Sequence, residues 1–527
     1  MSDINLTNLG ILAAAIAGAA VFAAEGDHTL TATVTGSGTV SATVAWQGSN
    51  DGVGWITIAT LAPSGTAVGA AQASTTTSYR YWRQVVGALT GTGAQISSVV
   101  ATEAASGQAA APVSNAGNRT PTRYLGQCTD SIQMPNAYFA GNTQILSRKR
   151  HKLQRGGASF VQAMFPNFAT VNNTSGVELS PGGAATITAY LVVGGTTSAG
   201  AITGGTIYPV TWSGASSVVA PDGGMTPLHD PIYINKPKGT VIWYQIGYQN
   251  AAGIVYNGGV SGSEAGDPTN GEIFRIAASG FDLTQINTMA AWTGGTLSTL
   301  HTYGPCAVVT QRTDVSVFIA GHSIQMGLKS SADNGGNKGL LARALAAAEI
   351  PYISVAQGGM RMTDWTTASK RTNRAQLEQY CSHVIADFLI NDLIEGPAVD
   401  NTVLAARFAA LLATFTTGKP TFACATTPYT TGPWTAADGS DQALVTLGMS
   451  LNTRRSAANP MVRAGLAGYA GFFDLAAATC LPGTTDTKWY ANGTATYMTP
   501  DGLHPNAAGE TYCKDSGVLD FSALVRV

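Results

Sequence analysis

The pattern of apolar residues changes near Val315, and this change constrains the fold more than any other feature of the chain. Before it, short runs of β-branched and aromatic residues alternate with polar ones and are separated by Gly, Asn, Asp and Ser, which is typical of antiparallel sheets. After it, continuous apolar strands alternate with helical segments, which predicts a mostly parallel sheet with helices on both faces. A chain of 527 residues is also too long for one hydrophobic core. We therefore predict a multidomain protein.

Four segments follow from this division. Residues 1–102 combine an apolar N-terminal segment with a small all-β sandwich, and residues 103–123 have the Ala-, Gly-, Ser- and Pro-containing composition of a linker. Residues 124–312 form a second all-β region of the sandwich or jelly-roll type. Residues 313–527 form a three-layer α/β/α domain with a five-stranded, mostly parallel sheet.

The segment from Gly10 to Ala24 is apolar and has two interpretations, an export signal or a buried helix. Only Asp3 precedes it, and the first basic residue is Arg80, whereas a secretory signal begins with a positively charged region. The segment is also shorter than the roughly 20 residues that a membrane-spanning helix needs. We therefore favour a buried or oligomer-packed helix, with no signal peptide and no membrane span.

The composition excludes several classes of function. Charged residues make up 11% of the chain and the formal net charge is −2, with no basic stripe that would attract nucleic acid. None of the six cysteines forms a CxxC pair or has zinc-ligand spacing to a histidine, so we predict neither a metal nor a cofactor. Cys381 and Cys424 lie in apolar runs and are interpreted as buried free thiols, while a disulfide among the other four stays open.

Reactive residues follow the predicted strands of the C-terminal domain at the ends where sites in parallel α/β sheets lie. In chain order these residues are Ser323, Gly358, Gly359, Asn391, Asp501 and His504. Because the carboxyl ends of parallel strands share one edge of the sheet, we expect these residues to meet there.

Three of them have the chemistry of nucleophilic catalysis. Serine is a weak nucleophile unless a base accepts its proton, and His504 can do so if a carboxylate holds its other ring nitrogen. Asp501 stands three residues earlier, which is within reach of one turn. Pro505 suits the first position of a helix and would fix His504 at the entry of the last helix.

Acyl transfer also needs hydrogen-bond donors for the negative oxygen of the tetrahedral intermediate. The backbone N–H of Ser323, the N–H of Gly358 or Gly359 and the side-chain amide of Asn391 would supply three. The sequence does not choose between the two glycines.

Taken together and in this order, these motifs resemble the SGNH (GDSL-like) hydrolase superfamily over about residues 312–527. The segment AQGGMRMTDW, at residues 356–365, is similar to the second block of SGNH carbohydrate acetylesterases. The resemblance implies that Ser323 is the nucleophile, that Asp501 and His504 complete the triad, and that the glycine loop and Asn391 bind the oxyanion. It implies a carboxylic ester hydrolase, most simply a carbohydrate O-acetylesterase that needs no cofactor.

Two positions depart from the family pattern. The usual Gly-Asp-Ser is Gly-His-Ser here, and Leu389 stands where the third block usually has glycine. The first of these positions does not carry the triad. We interpret His322 as a residue that lines the pocket rim or caps the local backbone.

Two other residues are candidates to line the substrate pocket. Trp365 would contact a sugar face or pack its own loop, and Arg361 would bind an acidic sugar or be a solvated loop residue. His383 is interpreted as structural, at the end of an apolar helix. Aromatic residues of the second β region have the same two interpretations, sugar stacking or core, and core is favoured for residues on strands: Trp212, Trp243, Tyr244, Tyr248 and Tyr256.

The segment from Thr29 to Thr102 adds a second resemblance. Its WQGSNDGxxWxxI sequence, followed by the strand-like YRYWR, is similar to small β-sandwich modules of phage virion proteins, although any β-sandwich would fit as well. This implies an extracellular or virion-borne protein that acts on a bacterial surface polysaccharide, contacts other tail proteins and forms a homotrimer. The alternatives are a secreted bacterial esterase or lipase, and a receptor-binding spike whose hydrolase domain is only a scaffold.

Overall fold

The computed structural model describes residues 2–5, 21–22, 27–49, 56–75, 81–103, 123–170, 176–258, 268–395, 399–445, 451–484 and 486–524. The chain divides into two compact units, Met1–Thr120 and Pro121–Val527. Most of the predicted apolar helix lies outside the described residues, but Val21–Phe22 within it form a short strand. No helix of the described ranges combines the length and apolar character that crossing a bilayer requires.

The described strands of the first unit form one antiparallel sheet of six strands. Two long strands, Asp27–Ser49 and Tyr81–Glu103, pair along their length at its centre. Even-numbered residues of the first one, such as Val34, Val44 and Trp46, are fully buried, because alternate side chains of a strand point to the same face. The described strands of this unit thus belong to one hydrogen-bonded sheet, and its arrangement as a sandwich stays a prediction. The other strands are Ser2–Asn5, Val21–Phe22, Ile56–Leu61 and Ser64–Thr75.

The β-rich region of the second unit is built on two antiparallel sheets. One contains the strands Gln144–Lys152, Ala185–Val193, Thr206–Pro209, Ser217–Ala220, Val241–Gln249, Ile273–Ala277 and Thr296–Leu297. The other contains Tyr124–Gln127, Ala158–Met164, Ile232–Lys236 and Ala307–Arg312. Three two-stranded ribbons complete the region: Ala137–Phe139 with Ile254–Tyr256, Ala169–Thr170 with Glu178–Leu179, and Thr196–Ser198 with Ala201–Thr203.

The aromatic residues of this region belong to its core. Tyr244 and Tyr248 are fully buried, Trp243 and Trp212 are nearly so, and Tyr256 is half-buried. The Tyr244 hydroxyl bonds His229 Nε2 at 3.0 Å. A buried ring whose polar atom already has a partner offers no face to a sugar, so the core interpretation is the one that the packing supports.

The remaining part of the second unit contains a five-stranded sheet, and this prediction is confirmed. Its strands are Val317–Gly321, Tyr352–Ser354, His383–Asp387, Thr421–Ala425 and Gly471–Asp474. All neighbours run parallel, and the second strand along the chain lies at the edge, beside the first. The first four strands are buried along their whole length, as expected where helices cover both faces of a sheet.

Nine α-helices are described, and all of them lie in this part of the chain. They are Ser323–Met326, Leu340–Ala347, Met362–Thr366, Thr372–Gln376, Leu389–Ile394, Asn401–Leu412, Leu451–Arg463, Leu475–Thr479 and Ala507–Asp515. Short 3₁₀ helices span Pro268–Asn270, Leu283–Asn287, Ala368–Lys370, Leu377–Tyr380 and Phe521–Ala523. The short ribbon Thr430–Thr431 with Ala443–Leu444 lies outside the main sheet.

Two predicted boundaries were wrong. The third strand is His383–Asp387 and a helix begins at Leu389, so Asn391 lies in the first turn of that helix and His383 begins a strand rather than ending a helix. Pro505 precedes the last helix instead of opening it, because the Asn506 side chain accepts a hydrogen bond from Gly509 N and acts as the N-cap.

The β-rich region and the parallel sheet share one hydrophobic core. The segment around Thr129 to Gln133 runs along the edge strand, where Tyr352 N donates to Thr129 O at 3.2 Å and Ser354 N donates to Ile132 O at 3.1 Å. The predicted boundary at residues 312–313 lies inside this unit, and the separation into two domains stays a prediction. All six cysteines are buried free thiols, so the structure contains none of the disulfides left open above.

Candidate active site

Ser323 lies where the first strand of the parallel sheet turns into a short helix. The strand ends at Gly321, and a Cβ atom there would lie 2.9 Å from Asp387 O, so a side chain would push the neighbouring strand away. Ser323 is the first residue of the helix Ser323–Met326. Its backbone N–H therefore has no hydrogen-bond partner within the helix.

Ser323, His504 and Asp501 form a continuous chain of hydrogen bonds. Ser323 Oγ lies 2.8 Å from His504 Nε2, and His504 Nδ1 lies 2.9 Å from Asp501 Oδ2. A carboxylate only accepts, so Nδ1 carries the proton and Nε2 is left to accept from the serine hydroxyl. The structure thus brings the three predicted side chains together in the geometry of a nucleophile, a base and the group that orients the base.

The loop that carries Asp501 and His504 is held by its own side chains. Asp501 Oδ1 accepts hydrogen bonds from Leu503 N at 3.0 Å and from His504 N at 2.8 Å, while Thr499 Oγ1 donates to His504 O at 2.7 Å. Gly502 has a φ of +76°, and a Cβ atom on it would lie 1.6 Å from Thr430 O. Only glycine fits there, so the Asp-Gly-Leu-His spacing is fixed by packing as well as by hydrogen bonds.

Asp501 is the charged member of this group. Partial burial disfavours its ionised form, but the hydrogen bonds from the His504 ring and backbone outweigh this effect and lower the Asp501 pKa to about 2. The carboxylate is therefore ionised at neutral pH. Ser323 and His504 are 5% and 9% exposed, so the hydroxyl and the ring are largely shielded from solvent.

The glycine pair forms a tight turn after the second strand. Met360 N donates to Gln357 O at 3.4 Å, and Gly359 has a φ of +75°, as the third residue of a type II turn requires. Gln357 N donates to Gly321 O at 3.0 Å, which ties this turn to the end of the first strand. Gly358 is buried and Gly359 is half-buried.

Asn391 is directed toward the same turn. Its Nδ2 donates to Met360 O at 3.0 Å. An amide nitrogen has two hydrogens, so this bond leaves one donor for a ligand. The Asn391 contact joins the helix after the third strand to the loop after the second.

His322 caps the backbone and does not line the pocket rim. It is fully buried, and its Nδ1 accepts from Ile324 N at 3.2 Å, so Nδ1 carries no proton. Nε2 lies 3.4 Å from Asp387 Oδ1. The other oxygen of Asp387 accepts from Gln325 Nε2 at 2.7 Å, so this buried carboxylate holds Gln325 and lies beside His322.

Sequence analysis missed Asp387 and Gln325. Asp387 lies in the apolar run IADFLI at residues 385–390, which the sequence predicts as the third strand. A single charged residue in such a run was the signal that could have marked Asp387 as a residue with a specific role. Gln325 Oε1 accepts from Leu341 N at 3.0 Å, which extends the network to the next helix. These contacts fix the turn on which the serine is displayed.

Trp365 does not line the pocket. It is 1% exposed and packs against the rings of Phe318, Phe388 and Phe415, while its Nε1 donates to Thr414 Oγ1 at 3.1 Å. Of its two interpretations, packing within the domain is therefore the one that the contacts support.

Arg361 precedes the Met362–Thr366 helix, and a third of its side chain is exposed. Its Nη1 lies 3.7 Å from Glu395 Oε1, and its backbone N donates to Asp364 Oδ2 at 3.1 Å. Within the described ranges, no group of three His, Cys, Asp or Glu side chains is arranged to hold a metal ion.

No protein-family model and no curated protein sequence matches this chain. Solved structures similar to it include a family-two carbohydrate esterase from Clostridium thermocellum in complex with cellohexaose, at 10% identity over 73% of this chain and 96% of that one, with a TM-score of 0.26. A lipase/acylhydrolase from Enterococcus faecalis has 18% identity over 38% and 93%, with a TM-score of 0.24. The PBSX exported protein XepA has 13% identity over 46% and 86%, with a TM-score of 0.17. Similarity at these scores assigns neither an activity nor a substrate.

Proposed function

We propose that this protein is a serine esterase of the SGNH type, which hydrolyses carboxylic esters through an acyl-enzyme on Ser323. The observation that carries the proposal is the unbroken hydrogen-bond chain from Asp501 through His504 to Ser323. A serine, a histidine and a carboxylate linked in this order are the nucleophile, the base and the orienting group that acyl transfer requires.

In the first step Ser323 Oγ attacks the ester carbonyl while His504 Nε2 takes its proton. Asp501 stabilises the imidazolium that forms, because its carboxylate accepts the Nδ1–H bond. His504 then gives the proton to the alcohol oxygen as the bond between the acyl carbon and that oxygen breaks. The alcohol leaves and the acyl group stays on Ser323.

In the second step a water molecule attacks the acyl-enzyme. His504 Nε2 accepts a proton from this water and returns it to Ser323 Oγ as the acyl–oxygen bond breaks. The products are the acid and the regenerated serine. Each proton that moves is carried by the same ring nitrogen, whose position is set by the 2.8 Å contact to Ser323.

Three donors would bind the oxyanion. They are the Ser323 N–H at the start of its helix, the N–H of the glycine turn and the second amide hydrogen of Asn391. Of the two glycines we favour Gly359, because it is half-buried while Gly358 is buried, and a donor must be reachable from the pocket. Losing one such donor typically lowers kcat by about 10²–10³-fold.

The experiment that tests this proposal compares wild-type protein with Ser323→Ala in p-nitrophenyl acetate hydrolysis. We expect the variant to lose at least about 10³-fold in kcat/KM, because the nucleophile is gone and only binding and the oxyanion donors remain. Circular dichroism of both proteins controls for folding. Equal rates would refute the proposal.

For the substrate we propose O-acetyl groups on a bacterial surface polysaccharide, with the enzyme carried on a phage tail. The support is the resemblance of the Thr29–Thr102 segment to virion modules and of residues 356–365 to acetylesterases. Release of acetate from O-acetylated capsular or cell-wall polysaccharides, measured for wild type and Ser323→Ala, tests it. Hydrolysis of long-chain lipid esters without any acetate release would instead favour a secreted lipase.

A further inference from the structure

A carboxylate of the β-rich region caps a helix of the parallel-sheet region. Glu178 lies on the short strand Glu178–Leu179, and its side chain is 6% exposed. Its Oε2 accepts from Asn373 N at 2.8 Å and from Asn373 Nδ2 at 2.9 Å, and its Oε1 accepts from Arg374 N at 2.9 Å and from Arg374 Nε at 3.2 Å. Asn373 and Arg374 are in the first turn of the helix Thr372–Gln376. A carboxylate there satisfies amides that have no partner within the helix.

The guanidinium of Arg374 carries this contact to the loop after the second strand. It is fully buried and lies 5.6 Å from the Trp365 ring. Its Nη1 donates to Val355 O and to Met360 Sδ, both at 3.4 Å, and its Nη2 donates to Gly176 O at 2.8 Å. Val355 and Met360 stand at the two ends of the loop that contains the glycine turn.

Met360 is therefore held from two directions. Arg374 contacts its sulfur from one side, and Asn391 Nδ2 donates to its carbonyl from the other. Gly176 also packs closely against Met360, because a Cβ atom on Gly176 would lie 3.3 Å from Met360 Cε. A buried arginine keeps such a set of contacts only while its charge is paired, and its carboxylate partner is Glu178.

We propose that Glu178 is a positioning residue for the oxyanion loop, acting through Arg374 on the turn Gln357–Met360. This inference rests on the proposed esterase function. Glu178 does not touch the substrate. The β-rich region thus takes part in building the active site.

The test uses Glu178→Gln and Glu178→Asp in the full chain with p-nitrophenyl acetate. The glutamine cannot accept at both oxygens, because one is replaced by an NH₂ group that faces N–H donors. We expect kcat per active serine to fall about 10–100-fold with little change in KM, since an oxyanion donor displaced by about 1 Å costs up to about 10²-fold. The aspartate keeps the charge but is shorter by one methylene, so we expect an intermediate kcat. Active serines are counted by titration to completion with a fluorophosphonate.

Counting active serines separates positioning from folding, because a purely structural defect lowers the number of titratable sites and leaves kcat per site unchanged. The matched control is Glu349→Gln, which breaks the exposed Lys238–Glu349 pair between the same two regions and should keep wild-type kcat. If Glu178→Gln does not fold, Glu178→Asp decides the question.

Wild-type kcat per site in the folded Glu178 variants would overturn the positioning role. If Ser323→Ala retains activity, the esterase proposal itself is wrong, whatever the Glu178 variants do. Loss of activity in Ser323→Ala together with wild-type kcat in Glu178→Asp and Glu178→Gln would refute the positioning role alone.

Discussion

Asp501→Asn is expected to abolish catalysis while leaving the loop in place. Asn Oδ1 can still accept from Leu503 N and His504 N, as Asp501 Oδ1 does at 3.0 and 2.8 Å, so the turn is kept. The NH₂ group then faces His504 Nδ1, which must become the acceptor. The ring proton moves to Nε2, and His504 can no longer accept the proton of Ser323 Oγ.

The size of this effect follows from the reversed tautomer. The same reversal in a Ser-His-Asp triad lowers kcat by about 10⁴-fold, which corresponds to about 5.5 kcal/mol of lost transition-state stabilisation. The stability effect is much smaller. The Asp501 pKa is lowered from 3.8 to about 2, so the carboxylate stabilises the fold above pH 3.8 and this contribution is lost as the pH falls through about 2. A third of the side chain is exposed, and after allowance for solvent screening we expect it to contribute about 1 kcal/mol.

The assay measures kcat/KM for p-nitrophenyl acetate and the free energy of unfolding in urea for both proteins at pH 7. A matched control is Asp282→Asn, which alters an exposed carboxylate that caps a 3₁₀ helix of the β-rich region and should leave kcat/KM unchanged. An Asp501→Asn protein with activity within tenfold of wild type would refute the assignment of the His504 tautomer. A loss of activity accompanied by unfolding would contradict the expectation that the loop is kept.

Two further predictions concern the surroundings of the triad, and a third concerns the buried cysteines. Gly502→Ala should lower kcat/KM for p-nitrophenyl acetate by at least about 10²-fold. The added Cβ would lie 1.6 Å from Thr430 O, so the loop that carries Asp501 and His504 must move. Wild-type activity of this variant would contradict the packing argument. His322→Ala removes the cap on Ile324 N and should lower the free energy of unfolding by about 1 kcal/mol and also lower kcat. His322→Asn restores an acceptor, so it should recover part of the lost stability and part of the lost kcat. Identical behaviour of the two variants would exclude the capping role. All six cysteines are buried, and burial raises the pKa of each thiol. Ellman's reagent should therefore label the thiols only when the protein is unfolded in guanidinium. Rapid labelling of the folded protein would contradict this prediction.

The arrangement of the parallel sheet was predictable because its determinants are local. Continuous apolar runs alternate with helical periodicity, and the residues after each run must meet at one edge of the sheet. This rule places Ser323 at that edge, whereas Asp501 and His504 come well after the last strand and were assigned from their Asp-x-x-His spacing. The strand boundary near Asp387 was missed because Phe388, Leu389 and Ile390 extend the apolar run although they begin the next helix.

The contacts that support the site were not predictable from sequence. Glu178 and Arg374 are far apart in the chain, and nothing in the local pattern links a carboxylate on a short ribbon to a helix of another region. The choice for Trp365 between sugar contact and packing depended on Phe318 and Phe415, which come from a strand and from the turn after a helix. Such tertiary neighbours decide the role of an aromatic residue, and sequence spacing does not reveal them.

The most direct test of the account is the site of covalent modification by a fluorophosphonate, which reacts only with a serine that a base has activated. Intact-mass and peptide mass spectrometry should find one adduct per chain, on the peptide that contains Ser323, and no adduct in His504→Ala. Modification of another serine, or of Ser323 to the same extent without His504, would contradict the proposed chemistry.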